Sequence, residues 1–361
     1  MRRFQYSVRV VGLVGLVGLL VACGESPHYL DLDASAGDDS SVPVPDADHD
    51  AAIDASPDGG AACVSRVVFS DGRQPDTEIL LVNANGTGMV NLSDDVAADT
   101  NPSTGPGGRV VFASTRSGNS DIYAVDLDGG NLTNLTSNAA IENTPVVSPD
   151  GGLVAFLRGG GLYVMNVDGS NVHAVATGTA YKVSWNSQST RLAFELTSGS
   201  NTDVWVVDAA GTNLEQLTTD PAYDGSTTWS PDGSKIAFVS QRSGSDIFVM
   251  NVDGSGVTNL TQDAAVDATP AWSPDGETLA YSSDGDIMLT SAIGGTKTPL
   301  TTSSVNEYVP RWSPDGAYVL FRYDEGQYRR LGWVPATGGD VNTITGPAGY
   351  SDVGSWVPCQ Q

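Results

Sequence analysis

An aromatic residue recurs at Phe69, Phe112, Phe156, Phe194, Phe238, Tyr281 and Phe321, and two positions before each stands Val, Leu or Ile. Residues two apart share one strand face, so this comb predicts seven strands with a buried side. Each is followed by a polar turn and a second apolar run, as in Asp121-Ile122-Tyr123-Ala124-Val125 and Asp246-Ile247-Phe248-Val249-Met250. Asp168-Gly169 and Asp253-Gly254 supply hairpin turns that accept positive φ. A last short strand then finishes in Leu-Thr, at Leu135-Thr136, Leu217-Thr218, Leu260-Thr261 and Leu300-Thr301.

The turn ahead of the comb repeats as well, as Ser-Pro-Asp-Gly beginning at Ser148, Ser230, Ser273 and Ser313. Trp229, Trp272 and Trp312 precede three of these turns, Val147 precedes the other, and Trp185-Asn186-Ser187-Gln188 is a degenerate copy. Four short strands per unit of about forty residues, without helical periodicity, describe a propeller blade. The predicted fold is all-β, a seven-bladed β-propeller of four-stranded blades spanning residues 63–361. The chain opens with a second strand at Val64 to Phe69 and closes with a first strand at Val353 to Trp356, so the C-terminal strand is expected to complete the first blade. Cys63 and Cys359 then fall in one slot of the repeat, and a disulfide between them is expected in an oxidising compartment.

The units typified by Pro270-Ala271-Trp272-Ser273-Pro274-Asp275-Gly276, with Leu279-Ala280-Tyr281 after them, resemble the TolB-type propeller repeats, which are WD-like in plan. The resemblance covers roughly residues 64 to 358. It implies a protein-binding propeller at the cell envelope, acting near peptidoglycan-associated lipoproteins. The chain departs from that family in its blade count and in having nothing between Cys23 and Cys63 that could form the α/β domain preceding the TolB propeller.

At the amino terminus, Arg2, Arg3 and Arg9 flank a short apolar run from Val10 to Ala22, the plan of a secretory signal over residues 1–22. Leu20-Val21-Ala22-Cys23-Gly24 resembles a bacterial lipobox, which implies acylation (a palmitate-type anchor) at Cys23; Gly24 after it points to the outer membrane, on its periplasmic or cell-surface side. Residues 23–62 carry ten acids with no Lys or Arg and read as a disordered tether. The membrane is thus contacted through the lipid alone. The formal charge is −26, and residues 63–361 keep −19 once the leader arginines and tether acids are set aside. Such a surface repels nucleic acid and attracts cations or a basic protein segment. A monomer is expected.

Recognisable catalytic sets are missing. No serine stands in a Gly-x-Ser-x-Gly pattern, and His28 and His49 lie in the tether, leaving His173 as the one histidine of the repeats. Carboxylates recur with register instead: Asp99, Glu142, Asp224, Asp267 and Glu307 stand five positions before the tryptophan slot, with Asp352 displaced by one. If the tryptophan strand is innermost, as in TolB-type blades, they should lie in the loops entering it and ring one mouth of the channel, together with Tyr181, Tyr223, Tyr308 and Tyr350. Such a ring could hold Ca²⁺ or receive a basic peptide; equally, each acid could accept backbone N–H bonds in its own loop. Arg116 and Arg242 are expected to pair with Asp121 and Asp246 across their turns. The leading reading is an envelope-anchored binding or scaffold lipoprotein, not an enzyme. The alternative is a hydrolase or lyase acting on polysaccharide or peptide with paired carboxylates.

Overall fold

The computed structural model describes residues 66–72, 76–344 and 351–357, the last with side chains from Gly354 onward. The leader, the tether, Cys23, Cys63, Cys359 and Tyr350 lie outside the described residues. Seven antiparallel four-stranded sheets stand as blades. Their innermost strands are Ser351–Val357 (blade 1), Asp99–Thr104, Glu142–Val147, Thr179–Trp185, Asp224–Trp229, Asp267–Trp272 and Glu307–Trp312 (blade 7). Each touches the next, and the seventh returns to the first, so the ring is closed. No helix occurs among the described residues. Blade count and architecture follow the comb.

Closure follows the phase of the repeat. Ser351–Val357 pairs antiparallel with Arg66–Asp71, setting Trp356 opposite Val67, so blade 1 is built from both ends of the ring. The pairing contains a bulge between Val68 and Ser70, where Gly354 passes so close that a Cβ on it would collide with the Val68 carbonyl. Only glycine lets the two segments approach there.

All seven comb residues are fully buried. Phe112 and Tyr123 of blade 2 pack on Val68, Ile79 and Leu81 of blade 1, and Trp229, Phe238 and Met250 of blade 5 pack on Val204 and Val206 of blade 4. A blade alone would expose one of these faces, so the core lies between blades. Each ring contributes about 1.5–3 kcal/mol through burial, which is available only once neighbours are in place.

Two further devices bind the innermost strands. The indole N–H of each slot tryptophan donates to the carbonyl just before the same slot in the preceding blade: Trp185 to Val146, Trp229 to Ser184, Trp272 to Thr228, Trp312 to Ala271 and Trp356 to Arg311, at 2.9–3.3 Å. In the turns that follow, the Ser148, Ser230, Ser273 and Ser313 hydroxyls accept the backbone N–H five residues on and donate to Asp150, Asp232, Asp275 and Asp315. Those serine hydroxyls hold the Asp150, Asp232 and Asp275 carboxyls below the usual aspartate range.

Candidate binding site at the two mouths of the channel

The innermost strands begin at one mouth and end at the other, and the two mouths differ in chemistry. At the first, Asp99, Glu142, Asp224, Asp267 and Glu307 each open a strand rather than lying in the loop before it. All five are buried. Arg116 donates to Asp99 at 2.6 Å, Arg158 to Glu142 at 2.5 Å and Arg242 to Asp224 at 2.8 Å. Their guanidinium groups lie over paired rings, Arg116 on Phe112 and Tyr123, Arg158 on Phe156 and Tyr163, Arg242 on Phe238 and Phe248. The aromatic comb thus supports the cation that neutralises the acid.

The expected Arg116–Asp121 and Arg242–Asp246 pairs are not formed. Asp121 instead accepts from Ser117 and Asn134, and Asp246 from Ser243 and Asn259. Burial does not decide the choice, since Asp121 and Asp246 are only 1% exposed; Arg116 and Arg242 donate Nε–H to the Ser114 and Ser240 hydroxyls and lie over the paired rings, which holds their guanidiniums at Asp99 and Asp224, and neutral donors serve the other two.

Glu307 accepts from the Thr301 hydroxyl, and Asp267 has no arginine. Burial pushes the carboxyls of Asp99, Asp267 and Glu307 above their ordinary values. Blade 4, with Ala180 in the acid's position, carries its own buried carboxylate, Glu195, which accepts the Ser226 N–H at 2.7 Å and is likewise raised by burial. No periodic signal in the sequence marks it. Burial first, then the adjacent Glu195, pushes the Tyr223 phenol well up. Tyr181 is exposed, and Tyr308 is half-buried with Arg322 over its ring.

Between the mouths every innermost strand of blades 2 to 7 is bent at one position. Asn101, Thr144, Lys182, Ser226, Thr269 and Val309 all have φ between 44° and 54°, and the pairing register shifts at each. At Thr144, Thr269 and Val309 the left-handed bulge falls on a β-branched residue, where it stores strain.

At the second mouth, Trp229, Trp272, Trp312 and Trp356 line a recess of about 390 Å³ with Arg311 and the prolines of three turns, Pro231, Pro274 and Pro314. It spans blades 5, 6, 7 and 1. The tryptophans are largely core, with Trp229, Trp272 and Trp356 only 7–8% exposed, and each gives a narrow edge to the recess. Tryptophan and arginine around an apolar recess are the composition that anchors a bound protein segment. Spacing had marked the opposite mouth, because tryptophans nine positions from a core aromatic read as core.

His173 is the one histidine among the described residues, and both its ring nitrogens lie 2.9 Å from carbonyl oxygens, of Asn171 and Ala209. It braces blade 3 against blade 4.

The sequence profile of the TolB beta propeller domain matches residues 47–182 and 158–360. A curated relative, the Tol-Pal system protein TolB of Anaeromyxobacter dehalogenans, is 42% identical over 45 residues, 12% of this chain and 10% of that protein. The chain spans a fifth or less of the length of the curated relatives it matches. Among solved structures, TolB from Acinetobacter baumannii superposes with a TM-score of 0.57 at 18% identity, covering 81% of this chain and 67% of that one. Oligogalacturonate lyase from Vibrio parahaemolyticus gives a TM-score of 0.59 at 16% identity over 77% of this chain and 84% of that one. At these identities the superpositions speak for the propeller fold.

Proposed function

Because the chain belongs to the TolB beta propeller domain family, we propose that it is a protein-binding scaffold of the bacterial envelope, engaging an extended segment of its partner in the tryptophan recess. The observation that carries this reading is the row of four tryptophans at the ends of adjacent innermost strands, beside Arg311. Apolar side chains of the segment would seat on the indoles, and the net charge of −26 would draw in its basic flanks. An envelope protein is the expected class of partner, a peptidoglycan-associated lipoprotein first among them. The acids of the other mouth act on this reading as loop braces beneath Tyr181 and Tyr308.

Anchoring is part of the proposal. Lipid on Cys23 and the acidic tether of residues 23–62 would hold the ring near the outer membrane, with Cys63 joined to Cys359 across blade 1. Palmitate labelling lost in Cys23→Ser tests the anchor. Alkylation of both remaining thiols without reduction would exclude the disulfide.

The binding role is tested by in vivo photo-crosslinking from positions around the recess, with Trp312→Ala and Arg311→Glu as comparators. Partner crosslinks should fall about tenfold or more in each variant, the effect expected of an interface anchor, with Tm recorded for both because Trp312→Ala also deletes the indole bond to Ala271 and lowers Tm. Unchanged crosslinking in both would remove the recess from the binding surface.

A further inference from the structure

Three carboxylates recur at positions i, i+17 and i+21 at three of the blade junctions: Glu78, Asp95 and Asp99; Asp203, Asp220 and Asp224; and Asp246, Asp263 and Asp267. The first triad is closed by Arg116, which reaches Asp95 at 4.0 Å and Asp99 at 2.6 Å. Arg242 closes the second in the same way, at 4.0 Å from Asp220 and 2.8 Å from Asp224. At the junction of blades 2 and 3 the same spacing gives Asp121, Asn138 and Glu142, with an amide in the middle and Arg158 on Glu142. One guanidinium per junction is the pattern.

The third full triad breaks it. Arg116 and Arg242 stand two residues beyond Ser114 and Ser240, and the corresponding residue beyond Ser283 is Gly285. Asp267 is 0% exposed, and neither of its oxygens has a partner in hydrogen-bonding geometry. In Asp99, Glu142 and Asp224 only one oxygen is so left. Ligand oxygens of Asp246, Asp263 and Asp267 lie within 4.8 Å of one another, the span of oxygens sharing one ion at about 2.4 Å. Lys297 contacts Asp263 and the Thr261 carbonyl, so a single ammonium group faces three carboxylates. Asp246 is held in place by Ser243 at 2.8 Å and Asn259 at 2.9 Å, which orients it without neutralising it.

We propose that Asp246, Asp263 and Asp267 bind a divalent cation of the Ca²⁺ class at the junction of blades 5 and 6, where the ion does what a guanidinium does at the other two acidic junctions. All-oxygen, anionic donors select a hard cation over zinc or copper. The site is independent of the tryptophan recess, which lies at the other ends of the innermost strands.

The test uses the full chain, stripped with chelator and titrated calorimetrically with CaCl₂ alone, with thermal unfolding recorded in parallel. The parent should bind one Ca²⁺ per chain and unfold at higher temperature in its presence, as any ligand of the folded state requires. Asp263→Asn, which copies the Asn138 junction, and Asp267→Asn should each weaken binding by about tenfold or more and lose the thermal response. The corresponding change at an arginine-closed junction, Asp220→Asn, should leave Ca²⁺ binding unchanged. A parent that neither binds Ca²⁺ nor responds thermally, with metal-free Asp267→Asn unfolding at higher temperature than the parent, overturns the proposal: Asp267 is then held as a protonated acid. Equal affinity in the parent and both blade 5–6 variants overturns it as well.

Discussion

An Nη nitrogen of Arg242 lies 2.8 Å from an oxygen of Asp224, a carboxylate with no exposed surface at the start of an innermost strand. The pair fastens the last residue pairing of blade 5 to the loop leading into it, since Asp224 is opposite Ser240 and Arg242 also donates to the Ser240 hydroxyl. Removing one partner strands the other charge in a dry place, which costs more than the pair is worth against an apolar substitute.

Arg242→Met should therefore destabilise the ring by about 3 kcal/mol, and adding Asp224→Asn should restore a good part of it. Urea unfolding of the two variants measures both numbers. A single-variant loss under about 1 kcal/mol would place the pair with ordinary surface bridges.

Trp272→Phe keeps an aromatic ring in the core cluster but deletes the N–H that reaches the Thr228 carbonyl at 3.2 Å. The expected loss is about 1 kcal/mol, from one neutral hydrogen bond. Trp312→Phe, which deletes the bond to Ala271, should cost a similar amount, because the same bond recurs one blade on. Paired denaturation curves decide whether the ladder acts blade by blade.

Val309 holds φ at 54° in the bulge where Asn101 holds the same angle in blade 2. Asparagine visits this region cheaply and valine does not, so Val309→Asn should stabilise by about 1 kcal/mol and Asn101→Val should destabilise by about as much. The opposite signs of the two changes in Tm are the observable; like signs would mean that side-chain packing outweighs backbone strain at this level.

Two carboxylates should give pH profiles of opposite slope. Burial raises Glu195 in the folded protein, so its ionisation weighs against folding: the parent loses stability relative to Glu195→Gln as pH rises through the folded value, and the gap closes below the unfolded value. Asp232 is lowered by the Ser230 hydroxyl, so its contribution is present above the unfolded value and is lost as pH falls through the folded one. Glu195→Gln should thus be more stable than the parent at neutral pH, and Asp232→Asn less stable. Urea midpoints between neutrality and the acid carboxylate range provide the check.

Periodic packing was legible in the chain; compensation was not. The comb from Phe69 to Phe321 announces blade number and closure because every blade must bury the same face against its neighbour. The acids at Asp99, Glu142, Asp224, Asp267 and Glu307 were visible as a ring, yet spacing is blind to depth, and the arginines of the first three sit 16 to 18 residues away where no short motif joins them. The strained bulge leaves no mark, since Thr144, Lys182 and Val309 are not residues that advertise a left-handed backbone. Glu195 belongs to one blade alone and therefore has no echo to betray it. The tryptophan recess was hidden by its own regularity, each indole being counted once as core.

The pairing of Ser351–Val357 with Arg66–Asp71 also has a consequence in time. A growing polypeptide carries an incomplete blade 1, with Arg66–Asp71 offering an open edge, until residue 357 has been made. No earlier nascent length can close the circle. Folding of such a ring withholds its final cooperative step until the strand Ser351–Val357 is available.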